Sequence, residues 1–184
     1  MILFDTETTG LLGVDGNPQE LQPYIVEVYA MRLTKTMEVT NELHIRMKPP
    51  IKIPEETTKI HGITNDDVKD CKPFVFHWRK IAHFFEGSRY LAGHNLQYDK
   101  KVLFNELNRI DKVTNFPWPM RNLCTVEETV KWKGHRLSLT DLHTEIFGRA
   151  FDKAHSAKAD VEATRVILKW MLENNVTKLV DEEW

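Results

Sequence analysis

The stretch MILFDTETTG (Met1–Gly10) decides the fold of this chain, because a short apolar run ends there at two closely spaced acids. The residues Met1 to Phe4 are typical of a buried strand, and the TTG that follows is typical of a turn. Asp5 and Glu7 are two residues apart, so in an extended segment their side chains point to the same face. We therefore predict a buried strand that ends at two carboxylates able to act together.

Two longer segments are also typical of strands and complete a small mixed sheet with the first. Tyr24–Leu33 is rich in β-branched and aromatic residues, and Val39–Lys48 alternates between apolar and polar residues. We expect these two segments to pair through a turn near Thr36. Arg89–Asn95 is predicted to be a further short strand that runs into a polar turn.

Apolar residues at helical spacing predict helices on the faces of this sheet. The segment Pro73–Gly87 begins with proline and ends with glycine. The Phe and Trp residues at helical spacing within it, Phe74, Trp78, Phe84 and Phe85, are predicted to be core. Four further helical elements are predicted: a helix over Tyr98–Ile110, a strand end and helix over Asn122–Trp132, a helix from Ser138 to Phe147, and a helix that opens near Ser156. Gly13–Pro23 is predicted to be a loop, and Pro49–Thr64 to be mostly loop with room for one helical turn. Together they indicate an α/β fold, a mixed β-sheet flanked by α-helices.

The composition is that of one globular domain. The chain has 184 residues, of which 41% are apolar and 28% charged, and this excludes a mainly disordered protein. A net charge of −2 excludes a strongly cationic protein that holds nucleic acid by bulk charge alone. The two cysteines, Cys71 and Cys124, form neither a disulfide framework nor a zinc ribbon. No targeting or membrane segment is evident, so we expect a soluble, cytoplasmic protein.

Acidic residues follow the predicted strands and open the predicted helices. Asp5 and Glu7 follow the first strand, and Asp99 comes shortly after the strand that ends at the polar turn. Asp160 lies near the start of the last helix, five residues after His155. Polar groups at the carboxyl ends of strands collect at one edge of an α/β sheet, so these side chains are expected to meet there. Each acid taken alone is equally typical of a helix cap or a solvated surface residue.

Five motifs occur in a fixed order along the chain: FDTETTGL, IHGIT, GHNLQYDKKVL, SLTDL and HSAKAD. In this order they resemble the DEDDh class of 3′–5′ exonucleases, which includes the proofreading (epsilon) subunit of bacterial DNA polymerase III and the ribonuclease T relatives. The resemblance extends from Met1 to about Met171. It implies a ribonuclease-H-like sheet, and we accordingly divide the chain into an exonuclease domain (1–176) and a C-terminal tail (177–184).

The resemblance also implies a set of site residues. It assigns two divalent metal ions, Mg²⁺ or Mn²⁺, to four carboxylates, those of Asp5, Glu7, Asp99 and Asp160. It assigns the general base to His155, and Tyr98 does not take that role. The residues implied to border the terminal nucleotide or to brace the site are Thr8 through its backbone, Leu11, Glu56, His61, Ile63 and Asn95.

These residue types suit the hydrolysis of a phosphodiester. The reaction needs an attacking hydroxide, charge neutralisation at phosphorus and a stabilised leaving oxygen, which two divalent ions on carboxylate oxygens can supply. His155 would take the proton of the attacking water, a task suited to a side chain with a reference pKa near 6.5. Together with the resemblance, which implies the 3′–5′ direction, this chemistry leads us to expect stepwise hydrolysis from the 3′ end of single-stranded nucleic acid, with DNA favoured and nucleoside monophosphates released.

Two alternative functions stay open. The chain could be an exoribonuclease that trims RNA 3′ ends, because the choice of sugar depends on 2′-hydroxyl contacts that the sequence does not reveal. It could also be a catalytically silent subunit that binds 3′ ends or associates with a DNA polymerase. Two features have two interpretations each: His61 is a turn residue or a substrate contact, and KWKGHR (Lys131–Arg136) is a solvated turn or a contact for the incoming strand. His94 is expected to be structural.

Overall fold

Five strands form one mixed sheet with β1 at its centre, in a computed structural model that describes residues 1–14, 18–152 and 155–180. The strand order is β3-β2-β1-β4-β5. β1 pairs antiparallel with β2 and parallel with β4, β2 pairs antiparallel with β3, and β4 pairs parallel with β5. The strands are β1 (Ile2–Thr8), β2 (Ile25–Leu33), β3 (Val39–Arg46), β4 (Tyr90–Gly93) and β5 (Arg121–Cys124). The predicted mixed sheet is confirmed.

Seven α-helices accompany the sheet in the described residues. They are α1 (Glu55–His61), α2 (Asn65–Val68), α3 (Trp78–Phe85), α4 (Leu96–Arg109), α5 (Thr125–Lys133), α6 (Leu139–Phe147) and α7 (Ala157–Glu173). Ser138 caps α6 as predicted, because its side chain accepts a hydrogen bond from the backbone N–H of Asp141. Ser156 caps α7 in the same way through the backbone N–H of Ala159.

The two faces of β1 pack against different helices, and this determines where each site residue lies. Ile2 and Phe4 face a core that includes residues of α3 and α4. Leu3 faces a second core that includes residues of α7. Because side chains alternate along a strand, Asp5 and Glu7 belong to the α7 side, and the residue between them belongs to the α4 side.

The structure corrects three details of the predicted elements. β1 continues to Thr8 instead of ending at Phe4, because its pairing with β2 continues to the Thr8–Ile25 pair beyond a register shift at Glu7. The predicted loop Pro49–Thr64 contains helix α1, which ends at a left-handed glycine. The predicted helix over Pro73–Gly87 is not continuous, because a 3₁₀ turn over Phe74–Phe76 precedes α3.

The start of the C-terminal tail lies on the domain. Thr177 is buried, and the backbone N–H of Val180 donates to the hydroxyl oxygen of Tyr90 at 2.9 Å. The last four residues of the predicted tail, DEEW, lie outside the described residues. In the part of the chain that the structure describes, no helix has both the length and the apolar character needed to cross a membrane.

Candidate active site

Three of the predicted carboxylates form one cluster. Asp5, Glu7 and Asp160 each offer an oxygen, and these oxygens lie within 4.8 Å of one another. Asp5 and Glu7 share the α7 side of β1, and Asp160 lies in the first turn of α7, the helix that packs there. The alternation of the strand and the packing of one helix are thus enough to assemble this cluster.

Asp99 reaches the same region from the opposite side of the sheet. It lies in the first turn of α4, is only 3% exposed, and its Oδ1 accepts two hydrogen bonds from Thr6. The donors are the backbone N–H of Thr6 at 3.0 Å and the Thr6 hydroxyl at 2.7 Å. The Asp99 charge acts on both Asp5 and Glu7, so the fourth carboxylate lies beside the cluster.

Burial raises the pKa values of all four carboxyl groups. Burial is the main cause in each case, and neighbouring acids add to it for Asp5, Glu7 and Asp99. The pKa of Glu7 is raised to about 8, that of Asp99 to about 7 and that of Asp160 to about 6, whereas that of Asp5 is raised well above its usual range. A cluster of hard oxygen donors that repel one another fits divalent cations such as Mg²⁺ or Mn²⁺.

A fifth buried acid, Glu27, lies next to the cluster and was not predicted from the sequence. It stands opposite Glu7 in the β1–β2 pair, and its charge raises the pKa of Glu7. Its Oε1 accepts a hydrogen bond from Arg46 Nε at 2.8 Å and lies 2.9 Å from His44 Nε2. Because Arg46 compensates this carboxylate, Glu27 is a paired neighbour of the site. The sequence signal that could have identified Glu27 is its position as an acid within the otherwise apolar start of β2.

His155 lies beside Asp160 at the edge of a cleft of about 560 Å³. Its backbone is left-handed, with φ of 68°, and its N–H donates to Asp160 Oδ1 at 3.2 Å. The residue is exposed, so its ring is accessible from solvent. The cleft is lined by Asp5, His94, Asn95, Val126, Arg136, Leu137, Ser138, Leu139, Thr140, Phe151, His155 and Asp160.

The segment after β1 is fixed by a tyrosine of α4. The hydroxyl of Tyr98 donates to the carbonyl of Gly10 at 2.7 Å and lies 2.6 Å from the Thr8 hydroxyl. Burial raises the pKa of Tyr98 to about 12, so this phenol stays neutral and serves as a hydrogen-bonding group. Leu11, just beyond, is 86% exposed and offers an apolar surface to solvent.

The three predicted contacts on and after α1 differ in their accessibility. Glu56 is exposed in the first turn of α1. His61 is buried, and its Nδ1 accepts a hydrogen bond from the backbone N–H of Ile63 at 3.0 Å. The ring Nε2 of His61 has no hydrogen-bond partner among the described residues. Ile63 is 2% exposed and packs in a small core cluster with Val26, Ile53 and Val68.

The polar turn after β4 joins the site to the segment between α5 and α6. Asn95 adopts a left-handed conformation at the N-cap of α4, and its Oδ1 accepts a hydrogen bond from Arg136 Nη2 at 3.1 Å. His94 Nδ1 lies 2.8 Å from the hydroxyl of Thr125, and the Leu137 backbone accepts from the same ring. Burial, together with the charge of Arg136, lowers the pKa of His94 to about 4. A neutral, hydrogen-bonded His94 agrees with its expected structural role.

Comparison with known proteins places this site in a family. A family model described as an exonuclease, RNase_T, matches residues 2–168. The chain is 28% identical over 131 residues to DNA polymerase III subunit epsilon of Buchnera aphidicola subsp. Schizaphis graminum. It is 30% identical over 168 residues to a DNA polymerase III subunit epsilon-like protein of Rhodobacter capsulatus. These matches cover 71% and 89% of this chain, but only 54% and 22% of the two relatives.

Solved structures share the fold at low sequence identity. The nuclease domain of 3′hExo, described as a DEDDh family member bound to rAMP, superposes with a TM-score of 0.76 at 18% identity and covers 100% of this chain and 96% of its own. The zinc-bound E. coli ExoI–ssDNA complex has a TM-score of 0.76 at 20% identity and covers 94% of this chain and 40% of its own. The predicted ribonuclease-H-like fold class is confirmed. Because the family model matches most of the chain, this protein belongs to the RNase_T exonuclease family and has the fold of its DEDDh members.

Proposed function

We propose that this protein is a metal-dependent 3′–5′ exonuclease that hydrolyses phosphodiester bonds at the 3′ end of single-stranded nucleic acid. DNA is the favoured substrate, and nucleoside monophosphates are the products. The observation that carries the proposal is the cluster of Asp5, Glu7 and Asp160, with Asp99 held beside it by Thr6. Membership of an exonuclease family supports the reaction class.

The four carboxylates Asp5, Glu7, Asp99 and Asp160 are the residues that would hold two divalent ions. When bound, such a pair of ions neutralises charge on the phosphate and stabilises both the attacking and the leaving oxygen. The raised carboxyl pKa values support this assignment, because a buried cluster of acids is costly unless a cation offsets its charge. Arg46 already offsets the charge of Glu27, so the ions are assigned to the other four carboxylates.

The protein side chains would activate the water and position the strand. His155 is proposed as the general base that takes a proton from the attacking water, and its exposure lets it pass that proton to solvent. The terminal nucleotide would lie against the Thr8 backbone and the exposed Leu11. Glu56, His61 and Ile63 would approach its sugar or base, and Asn95 would brace the site.

We expect replacement of His155 by asparagine to lower kcat by about 10²- to 10⁴-fold, the range typical of a lost general base. The wild-type rate should fall steeply on the acid side of neutrality, where the carboxyl groups of Glu7, Asp99 and Asp160, whose pKa values are raised, take up protons. Steady-state rates between pH 5.5 and 8.5 test both statements. Mn²⁺ should raise the melting temperature of the variant as much as that of the wild type, since His155 is not among the proposed metal ligands. A wild-type rate as high at pH 5.5 as at pH 8 would exclude this histidine as the base.

Replacement of Thr6 by valine should weaken metal binding by about 10-fold or more, because partners of metal ligands commonly contribute that much. The change removes the hydroxyl that donates to Asp99 Oδ1 at 2.7 Å and leaves only the backbone donor. Thr6→Ser is the matched control, since it keeps the hydroxyl. Titration of Mn²⁺ followed by thermal shift measures the affinity. Equal affinities of the valine and serine variants would show that the hydroxyl does not orient Asp99.

The direct test of the function uses single-stranded DNA and RNA oligonucleotides labelled at the 3′ or the 5′ end, digested with Mn²⁺. The expected result is immediate release of the 3′ label. The 5′-labelled strand should become shorter from its 3′ end in one-nucleotide steps, and DNA should be cut faster than RNA. Faster cleavage of RNA would identify an RNA 3′-end trimming nuclease instead. Binding of 3′ ends without hydrolysis of either polymer would identify a binding subunit. Two relatives are DNA polymerase III epsilon or epsilon-like proteins, and this supports a DNA polymerase as a partner to test.

A further inference from the structure

Among the described residues that line the cleft, Arg136 is the only lysine or arginine. It lies in the segment 134–138 between α5 and α6, on the same cleft as Asp5 and Asp160. Its Nη2 donates to Asn95 Oδ1, and no ion pair joins it to an acid within residues 1–14, 18–152 and 155–180. An exposed guanidinium with spare donors therefore borders the acidic cluster.

The segment that carries Arg136 is held at both ends and in the middle. Gly134 ends α5 in a left-handed conformation, with φ of 83°, and Ser138 caps α6. Between them the Leu137 backbone accepts a hydrogen bond from the ring of His94, which contacts Thr125 at the start of α5. These contacts fix the backbone next to Arg136, so its side chain needs little reorganisation to meet a ligand.

The chemistry of the cleft indicates which ligand this guanidinium fits. A guanidinium has five N–H donors in a planar fork that matches two phosphate oxygens, and Asn95 accepts from only one of its nitrogens. Arg136 shares the cleft with Asp5 and Asp160, but among the described residues it forms no ion pair with either of them. Arg136 is therefore set back from the carboxylates, and a strand phosphate next to the one over the cluster is the anion within its reach.

We propose that Arg136 binds the phosphate one nucleotide to the 5′ side of the scissile phosphate. This inference rests on the proposed function and extends it to the path of the strand beyond the terminal nucleotide. Asn95 then acts as a positioning residue, because its side-chain oxygen orients the guanidinium. The same contact gives one residue of the KWKGHR turn a role in strand binding.

The test is a cycle of binding measurements in the Asp99→Asn background with a 5′-labelled oligothymidylate and Mg²⁺. Arg136→Gln should raise Kd about tenfold and reduce the slope of log Kd against log salt concentration by about 0.7, the value for one phosphate contact on a single strand. A neutral methylphosphonate can replace the linkage immediately 5′ of the terminal, scissile linkage. With this substrate, the proteins with and without the Arg136→Gln change should have the same Kd. The same substitution two or more linkages further along should leave the difference intact.

Two further variants separate phosphate binding from a structural role. Arg136→Lys keeps the charge but loses the fork, so it should recover only part of the affinity and all of the salt slope. Arg79→Gln removes an exposed arginine of α3 that is not part of the cleft and should change neither quantity. A tenfold loss in the Arg136→Gln protein that is the same for every position of the neutral linkage would overturn the proposal, as would no loss at all.

Failure of the proposed function has a different signature. It would show as no hydrolysis of the unmodified strand by the wild-type chain with Mn²⁺. The binding cycle does not depend on hydrolysis, so it decides the role of Arg136 in either case.

Discussion

Asp99→Asn is expected to lower kcat/KM for a single-stranded substrate by on the order of 10³- to 10⁴-fold, the scale of loss seen when a member of a catalytic unit is removed. Asparagine has the size of aspartate, and its side-chain oxygen can still accept from the Thr6 N–H and hydroxyl. The variant therefore keeps the local structure and loses only the negative charge. The loss of activity would then measure how much the negative charge of Asp99 contributes to catalysis. Binding of 3′ ends should persist in the variant.

The measurement is release of a 3′ label at saturating Mn²⁺, with circular dichroism to confirm that the variant is folded. Asp66→Asn is the matched control. Asp66 follows His61 by five residues, as Asp99 follows His94, but the side chain of Asp66 is 92% exposed. The control should retain full activity. An Asp99→Asn variant with more than a tenth of the wild-type rate would remove Asp99 from the proposed metal ligands.

The strand and helix patterns predict most of what assembles this site. Asp5 and Glu7 share a face because side chains alternate in a strand, and this holds even though β1 is longer than its apolar run suggests. The pairing of β1 with β2 extends the strand, and a short-range pattern in one segment cannot anticipate pairing with another. Asp160 meets them because α7 packs on that same side.

The residues that support the site are harder to predict, because their roles depend on contacts between distant segments. Thr6 and Asp99 are 93 residues apart in the chain, and nothing local to either indicates their hydrogen bonds. Glu27 is compensated by Arg46 across a strand pair, and Arg136 reaches Asn95 from another loop. The sequence motifs predict the groups that bear the chemistry, whereas tertiary packing determines which of them are paired and which stay free.

The metal-free protein is expected to lose stability as the pH rises, and divalent ions should remove this loss. The carboxyl pKa values of Glu7, Asp99 and Asp160 are raised in the folded state, to about 8, 7 and 6. Below about pH 4 both the folded and the unfolded states are protonated and the shift has no effect. As the pH rises further, the unfolded chain releases its protons first, so the folded state binds more protons and its relative free energy rises. For each carboxyl group that is protonated in the folded state and ionised in the unfolded state, the free energy of unfolding falls by about 1.4 kcal/mol per pH unit, until the pH reaches the folded-state pKa.

Melting temperatures in EDTA should therefore fall between about pH 5 and pH 8, after which the decline should level off. At pH 8, Mg²⁺ or Mn²⁺ at a hundred times its Kd stabilises the fold by about 2.7 kcal/mol, or roughly 5–10 °C for a chain of this length. Glu7→Gln should flatten the decline in EDTA, because the amide has no proton to lose, whereas Asp66→Asn should leave it unchanged. A melting temperature in EDTA that rises from pH 5 to pH 8, with no response to either ion, would mean that these acids do not form a metal-dependent cluster. The decline without metal and its removal by metal follow from one cause, the repulsion among carboxylates that the fold holds together.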